Sequence, residues 1–565
     1  MTLAPRPTRA GARRAAIAAM RAPQRAVLLA AGALLLAACS SGSEGTERQL
    51  KTAATATATA QAALSAWLAG DAPADYARRT VSTMRERLAK AAEEVAASEA
   101  GAAARRAALL NPMRQAGAAL GRAEAAIGAD HRADAARARR GRDGGDELRR
   151  PCLPQPAAAA MNKLLEISLG IVTSVGGFLE VGSLTTAAQA GAAFGFRLVW
   201  AIALGTICII FLVEMAGRFA AVSHHTISDA IRERFGFNFF LWPLIATLFV
   251  NFLVLAAEIG GAAIALELAT GIGFQWWALP VALVAWLLLW KGTFGFIEKG
   301  VSMLGLVTLC FVVAAVMLRP DWKALAAGAV PSVPGHDTAR YWFIAVSILG
   351  ASISPYLFLF YSSGAVEDKW DKSYLATNRA IAGLGMSFGG TIALGVLIVA
   401  ALVLAPRGIT DVDDYHQLPL LLIPVFGFWG FVLFCASLGI ACLGAALEIG
   451  LQQAYLVAQG FGWNWGEDLK PRDNAGFAAV YTLAILVSAI PIACGLDPLK
   501  LTVFSMALTA SSLPLTVVPF LFLMNDERYV KEHRNGTIAN AAVLFVIALG
   551  FVLAIVAIPL EILGG

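Results

Sequence analysis

Long apolar stretches recur along the chain after residue 160, and they constrain the fold more than any other feature of the sequence. Most of them are roughly 20 residues or longer, the length of helix that crosses the hydrocarbon core of a bilayer. Mean hydropathy is +0.67 and charged residues make up 15% of the chain, which excludes a single water-soluble globule. We therefore predict about eleven transmembrane helices, near residues 165–190, 195–221, 238–268, 276–290, 300–318, 341–363, 378–405, 419–458, 475–495, 499–524 and 538–562.

Residues 1–160 have a different composition, which is dominated by Ala and Arg. The run AVLLAAGALLLAACSSG at 26–42 follows Arg-rich residues and contains LAAC ending at Cys39, which resembles a bacterial lipoprotein signal with its lipobox. The following residues are typical of an Ala/Arg/Glu-rich extension, either a solvated helical hairpin or a disordered segment. We predict three parts: a lipoprotein-like signal segment at 1–42, the helical or disordered extension with its linker at 43–160, and a membrane domain at 161–565.

The orientation of the membrane domain is predicted from its basic residues. With residue 161 on the cytoplasmic side, inner loops carry about 14 Lys and Arg residues and outer loops about 6, as the positive-inside rule requires. An exported lipoprotein would instead deliver residue 160 to the outside. Met161 begins MNKLLEISLG, which has the form of a translation start. The favoured hypothesis is that two neighbouring reading frames are joined here, and that the second encodes a multi-pass protein of a bacterial inner membrane.

Two of the predicted spans are interrupted. The first, LGIVTSVGGFLEVGSLTTAAQAG at 169–191, has Gly176, Gly177, Gly182 and the carboxylate of Glu180 near its middle, and a charge at that depth costs on the order of 3 kcal/mol. The sixth contains Pro355, which removes a backbone donor. Each feature alone is compatible with ordinary helix packing or a proline kink. At corresponding positions of two five-helix halves, however, they favour an inverted-repeat transporter with its site at the midplane.

The residues around both interruptions resemble those of a known family. GFLEVGSLTTAAQAGAAFGFRLVW at 177–200 is similar to a first-helix motif that reads Asp-Pro-Gly-Asn, then Thr, then Ala-Gly and aromatic-Gly-aromatic before Leu-Leu-Trp. ASISPY at 351–356 is similar to Ala-x-x-Met-Pro-His in the sixth helix. Both motifs belong to the NRAMP divalent-metal transporters, and the resemblance covers residues 162–565. It implies an all-α, LeuT-type fold of two inverted five-helix repeats plus an eleventh helix.

The resemblance also implies a site for a divalent cation. The family's metal-site positions are occupied here by Glu180, Ser183, Ala351, through its carbonyl, and Ser354. The family has Asp, Asn and Met where this chain has Glu180, Ser183 and Ser354. Because a thioether favours transition metals, its loss leaves hard oxygens that suit Mg²⁺, Mn²⁺ or Ca²⁺. We predict a hard-ligand site for one of these transported ions and no bound cofactor.

Proton coupling is predicted to be weak or absent. The two sixth-helix positions at which the family carries His are Tyr356 and Tyr361, and all six histidines lie outside the predicted spans. A Tyr, with a pKa near roughly 10, exchanges protons poorly at neutral pH. Glu258 and Glu448 remain as carboxylates within spans, so Glu258, Tyr356 and Glu448 are the candidates for a proton or gating role.

The sequence thus predicts a secondary transporter that moves a divalent metal cation by alternating access. No arrangement of Ser-His-Asp, Cys-His or His-x-x-x-His points to an enzyme, and the bilayer rather than nucleic acid is the expected partner. The sequence carries no signal of oligomeric state. Two alternatives stay open: a LeuT-type transporter of a small organic solute such as an amine or amino acid, and an envelope scaffold protein that does not transport.

Overall fold

The computed structural model describes residues 44–98, 103–138, 180–291, 305–332, 334, 337–467 and 469–562. The chain divides into two units, Met1–Ala158 with Val403–Val432, and Ala159–Leu402 with Leu433–Gly565. All regular elements within the described ranges are helices. The predicted signal segment, the linker before residue 161 and the first half of the first span lie outside the described residues.

The N-terminal unit contains a bundle of three helices, α1 (Glu44–Ala69), α2 (Ala74–Ser98) and α3 (Ala103–Ala138). Buried apolar side chains from all three helices, such as Leu50, Met84 and Leu120, form its core. Alanine dominates the rest of this core, and its small side chain lets the helices approach closely. The described residues of the predicted extension are helical, and the third helix completes a hydrophobic core with the first two. We call α1–α3 the bundle.

The membrane domain follows the predicted order of spans. Among the described residues, eight segments are long and apolar enough to cross a bilayer. The helices from residue 181 onward are α4 (Val181–Phe194), α5 (Val199–Ser223), α6 (Ile227–Phe235), α7 (Phe237–Thr270), α8 (Phe274–Lys291), α9 (Cys310–Met317), α10 (Trp322–Gly328), α11 (Thr338–Ser352), α12 (Pro355–Glu367), α13 (Leu375–Val403), α14 (Ile423–Phe426), α15 (Phe428–Phe461), α16 (Ala475–Ala493), α17 (Pro498–Leu523), α18 (Glu527–Val530) and α19 (Thr537–Ile562).

The eighth span differs from its prediction at the N-terminal end. It was expected over 419–458, whereas α15 begins at Phe428. The apolar residues before it form a 3₁₀ helix, Tyr415–Leu421, and the single turn α14. Gly427 then has a positive φ of 60° and ends that turn. Hydropathy alone cannot separate these short helices from a span, because all of them are apolar.

Helix packing places the two interrupted spans together. The start of the first span, α4, packs against α11, which is the first half of the sixth. Both of these helices pack against α17, and α17 in turn packs against α7 and α19. Both interrupted spans therefore lie against α17.

Candidate metal-binding site

The sixth span is broken between α11 and α12. Helix α11 ends at Ser352, Ile353 leaves the helical region with φ −111° and ψ 58°, and α12 begins at Pro355. Because Pro355 has no N–H, it cannot donate to the carbonyl of Ala351, as a continuous helix would require. The break therefore frees carbonyl oxygens at the C-terminal end of α11, where the helix dipole favours a cation.

The described part of the first span begins with Glu180, which is the N-cap of α4 in an extended conformation with φ −106° and ψ 170°. The Glu180 side chain makes no capping hydrogen bond. The N–H of Val181 instead donates to the carboxylate of Glu258 on α7, at 3.0 Å to Oε1 and 3.3 Å to Oε2. Glu258 thus caps α4. Gly176 and Gly177, which are part of the predicted interruption, lie outside the described residues.

The carboxylates of Glu180 and Glu258 form a buried pair, with 1% and 0% of each residue exposed. They lie close enough for the charge of one to act on the other. Neither forms an ion pair with any residue in the part of the chain that the structure describes. Burying two carboxylates side by side is costly unless a proton or a cation neutralises them.

Glu180 keeps one oxygen available. Its Oε2 accepts a hydrogen bond of 3.0 Å from the hydroxyl of Tyr356, whereas its buried Oε1 has no hydrogen-bond partner. An unpaired carboxylate oxygen in an apolar interior is rare and calls for an explanation. A bound cation supplies one, since it would satisfy Oε1 and offset the charge of the pair.

The other three predicted ligands are buried beside the two breaks. Ser183 lies in the first turn of α4, and Ala351 lies in the last turn of α11. Ser354 is the N-cap of α12, and its side chain makes no capping hydrogen bond. The hydrogen bond from Tyr356 to Glu180 joins the two interrupted spans directly. The ligand roles themselves stay predictions.

The three candidates for proton transfer or gating fall in different surroundings. Tyr356 is fully buried and donates to Glu180, and the carboxylate of Glu258 is engaged by the N-terminus of α4. Glu448 is half-buried on α15 and near enough to act electrostatically on Tyr356. Within the described ranges, no three His, Cys, Asp or Glu side chains converge on one point.

Met506 on α17 is a residue that the sequence interpretation missed. It is fully buried, and a Cβ at Gly182 would lie 2.6 Å from its sulfur. A Cβ at Gly350 would overlap the carbonyl oxygen of Met506. These two glycines therefore let α17 touch both interrupted spans, two residues from Glu180 and one from Ala351. A Met in an apolar span gives no signal in the sequence, because it fills gaps in any core.

Comparison with known proteins agrees with this architecture. A family model described as natural resistance-associated macrophage protein-like matches residues 170–559. The chain is 26% identical over 409 residues to the divalent metal cation transporter MntH of Deinococcus radiodurans, covering 69% of this chain and 88% of that protein. It is also 26% identical over 397 residues to the MntH of Pectobacterium carotovorum, covering 67% of this chain and 91% of that protein.

A solved structure shows the fold. The manganese transporter of Eremococcus coleocola, in complex with an aromatic bis-isothiourea substituted compound, superposes with a TM-score of 0.58 at 20% identity. The match covers 72% of this chain and 88% of that one. The predicted all-α, LeuT-type fold is confirmed, and the relatives are transporters rather than enzymes. Because the family model covers most of the sequence, the chain belongs to the Nramp family of multi-pass membrane proteins.

Proposed function

We propose that this chain moves a divalent metal cation across the inner membrane by alternating access, with the ion bound between the two interrupted spans. One observation carries the proposal: the fully buried Glu180 presents an oxygen without a partner beside a second buried carboxylate. The proteins that this chain resembles are named as divalent metal cation transporters and as a manganese transporter, which supports the same class of substrate.

The proposed ligands are the carboxylate of Glu180, the hydroxyls of Ser183 and Ser354, and the carbonyl of Ala351. Four oxygens of this kind suit Mg²⁺ and Ca²⁺ as well as Mn²⁺. The sulfur of Met506 lies against Gly182, the residue before Ser183, and as a soft donor it would favour Mn²⁺ over the alkaline earths. We therefore propose Mn²⁺ as the preferred ion, with weaker discrimination against Mg²⁺ than a site with Met at position 354 would have.

Transport is proposed to be coupled to protons weakly or not at all. The hydroxyl of Tyr356 donates a hydrogen bond to Glu180 and is buried, so Tyr356 acts as a fixed hydrogen-bond donor. Glu258 accepts from the backbone of Val181, a role that needs an acceptor and no exchange of protons. Among the described histidines of the second unit, His224, His225 and His533 lie outside α4, α11 and α12, the helices that carry the proposed ligands.

Uptake into proteoliposomes tests the proposal. Residues 161–565, which contain the whole match to the family model, should take up Mn²⁺, and Glu180→Gln should abolish uptake because it removes the ligand charge. Glu267→Gln is the matched control, since Glu267 is also buried on α7 but accepts a 2.9 Å hydrogen bond from the N–H of Phe274. If neither Mn²⁺, Mg²⁺ nor Ca²⁺ enters, and Glu180→Gln behaves as wild type, metal transport is refuted. Uptake of amines or amino acids in the same vesicles would then favour the organic-solute alternative.

A further inference from the structure

The segment 403–432, which joins α13 to α15, is held in one conformation by its own polar groups. Asp414 caps the 3₁₀ helix Tyr415–Leu421 by accepting from the N–H of His416 at 2.8 Å. The side-chain oxygen of Gln417 accepts from the N–H of Asp413 at 2.9 Å and of Asp414 at 3.0 Å. The segment contains three Asp and one Arg, and the predicted orientation places it outside the membrane. We call it the outer loop.

The bundle contacts this outer loop through Tyr76 on α2, which is 1% exposed. Its hydroxyl donates to the carbonyl of His416 at 2.7 Å. Its ring lies 5.1 Å from the ring of Phe431, measured between centroids. A buried aromatic side chain whose polar end is also satisfied is typical of the residues that contribute most to an interface.

Charged and polar contacts surround this tyrosine. The guanidinium of Arg87 donates to the carbonyl of Asp413 at 2.6 Å and lies 3.3 Å from the carboxylate of Asp414. Gln417 donates to the hydroxyl of Thr59 on α1 at 3.1 Å. Burial would raise the pKa of Asp414, but His416 and Arg87 hold that pKa below its usual range. The interface thus combines an aromatic centre with charges of opposite sign.

The sequence between bundle and membrane domain conflicts with a continuous chain. If the bundle lies outside with the outer loop, residues 139–160 must return to the cytoplasm before the first span begins. Residues 139–150 carry eight charges, and no apolar stretch follows them before residue 161. A segment of this kind cannot cross a bilayer. The run at 26–42, by contrast, would export the bundle in the required direction.

We propose that the bundle is an exported, lipoprotein-like subunit that docks on the outer loop from outside the membrane, and that bundle and transporter work as two polypeptides. Each part can be tested alone. The bundle closes a core of its own, and the family model matches residues 170–559, which lie within the membrane domain. The proposal does not depend on which ion is transported.

An engineered disulfide tests the docking. A Cβ at Gly408 would lie 3.9 Å from the Cβ of Ala58, close to the usual separation of about 3.8 Å in a disulfide. Residues 1–160 with Ala58→Cys and residues 161–565 with Gly408→Cys are expressed together in a bacterium. A disulfide-linked species that disappears on reduction is expected, with each single-cysteine variant as control for the native thiols. In the full chain, the cysteines at positions 58 and 408 should form a disulfide only if the bundle and residue 408 lie on the same, oxidising side of the membrane.

Charge variants test the docking independently of Cys at position 408, because Gly408 has a positive φ of 76° that disfavours Cys. Arg87→Glu should weaken the docking at least about tenfold, and adding Asp413→Lys should restore it, since the Asp413 carboxylate lies 3.7 Å from Arg87. Arg85→Glu is the matched control, since Arg85 pairs with Glu124 inside the bundle at 3.2 Å. Co-purification of the two polypeptides provides a second readout without cysteines. Equal loss with Arg85→Glu, or neither co-purification nor cross-linking in wild type, would overturn the proposal.

Discussion

Carboxylates with little or no exposure occur in both units, and they are neutralised differently. In the outer loop, Asp414 accepts from a backbone N–H and lies beside Arg87 and His416. In the membrane domain, Glu180 and Glu258 have no basic partner among the described residues, and one oxygen of Glu180 makes no hydrogen bond. The first arrangement is complete as it stands. The second lacks a positive charge, as expected of a site that binds a cation and releases it.

Replacing Glu180 is expected to have the largest effect, because Glu180 carries the carboxylate oxygen that has no partner. We expect Glu180→Gln to weaken Mn²⁺ binding by at least roughly 100-fold, since it removes a charged ligand. In metal-free protein the same change should leave the melting temperature unchanged or higher, because a buried unpaired charge is lost. Calorimetric titration and thermal melts with and without Mn²⁺ measure both. A variant that binds normally but melts early would make Glu180 a structural residue like Asp414.

The sulfur of Met506 is expected to have the next largest effect. Met506→Leu keeps the volume of the side chain but removes the soft donor, so the preference for Mn²⁺ over Mg²⁺ should fall about tenfold. Ser354→Met should shift the preference the other way. Met524, which is equally buried at the end of α17, provides the control Met524→Leu. Binding isotherms for both ions measure the ratio. An unchanged ratio in Met506→Leu would show that the sulfur does not face the ion.

Replacing Glu258 should affect the stability of the fold more than it affects transport. Its carboxylate caps α4, so Glu258→Ala leaves the N–H of Val181 without an acceptor and should cost about 1–2 kcal/mol. Glu258→Gln retains an acceptor and should cost less. Uptake by wild type and Glu258→Gln should change little when a pH gradient is imposed. A gradient that drives wild type but not Glu258→Gln would instead assign Glu258 to a proton path.

The two breaks were predictable because they depend on local chemistry. Pro355 cannot continue the hydrogen bonding of a helix, and a carboxylate such as Glu180 within an apolar run is costly wherever that run packs. The role of Met506 was not predictable in this way. It depends on how α17 is rotated against Gly182 and Gly350, and an apolar span does not encode that rotation by periodicity.

For the bundle, too, some features could be predicted from the sequence and others could not. Its helices could be predicted from composition, but its core could not, since alanines contribute little each and look neutral on a hydropathy scale. The contacts of Tyr76 with His416 and of Arg87 with Asp413 join residues more than 300 positions apart. No sequence pattern in the bundle or in the outer loop indicates that the two pack together. The sequence predicts the outer loop only as a connection followed by the start of the eighth span.

Acid should weaken the docking of the bundle, and this is the smallest effect that we expect. The pKa of Asp414 is lowered in the folded state, so the cap and the contact with Arg87 contribute fully above the unfolded value of roughly 4. That contribution is lost as the pH falls through the lower folded value. Co-purification of the two polypeptides across this range should show a loss that is smaller in Asp414→Asn, whose side chain cannot titrate. The same loss in the wild type and in Asp414→Asn would show that a different group makes the docking sensitive to acid.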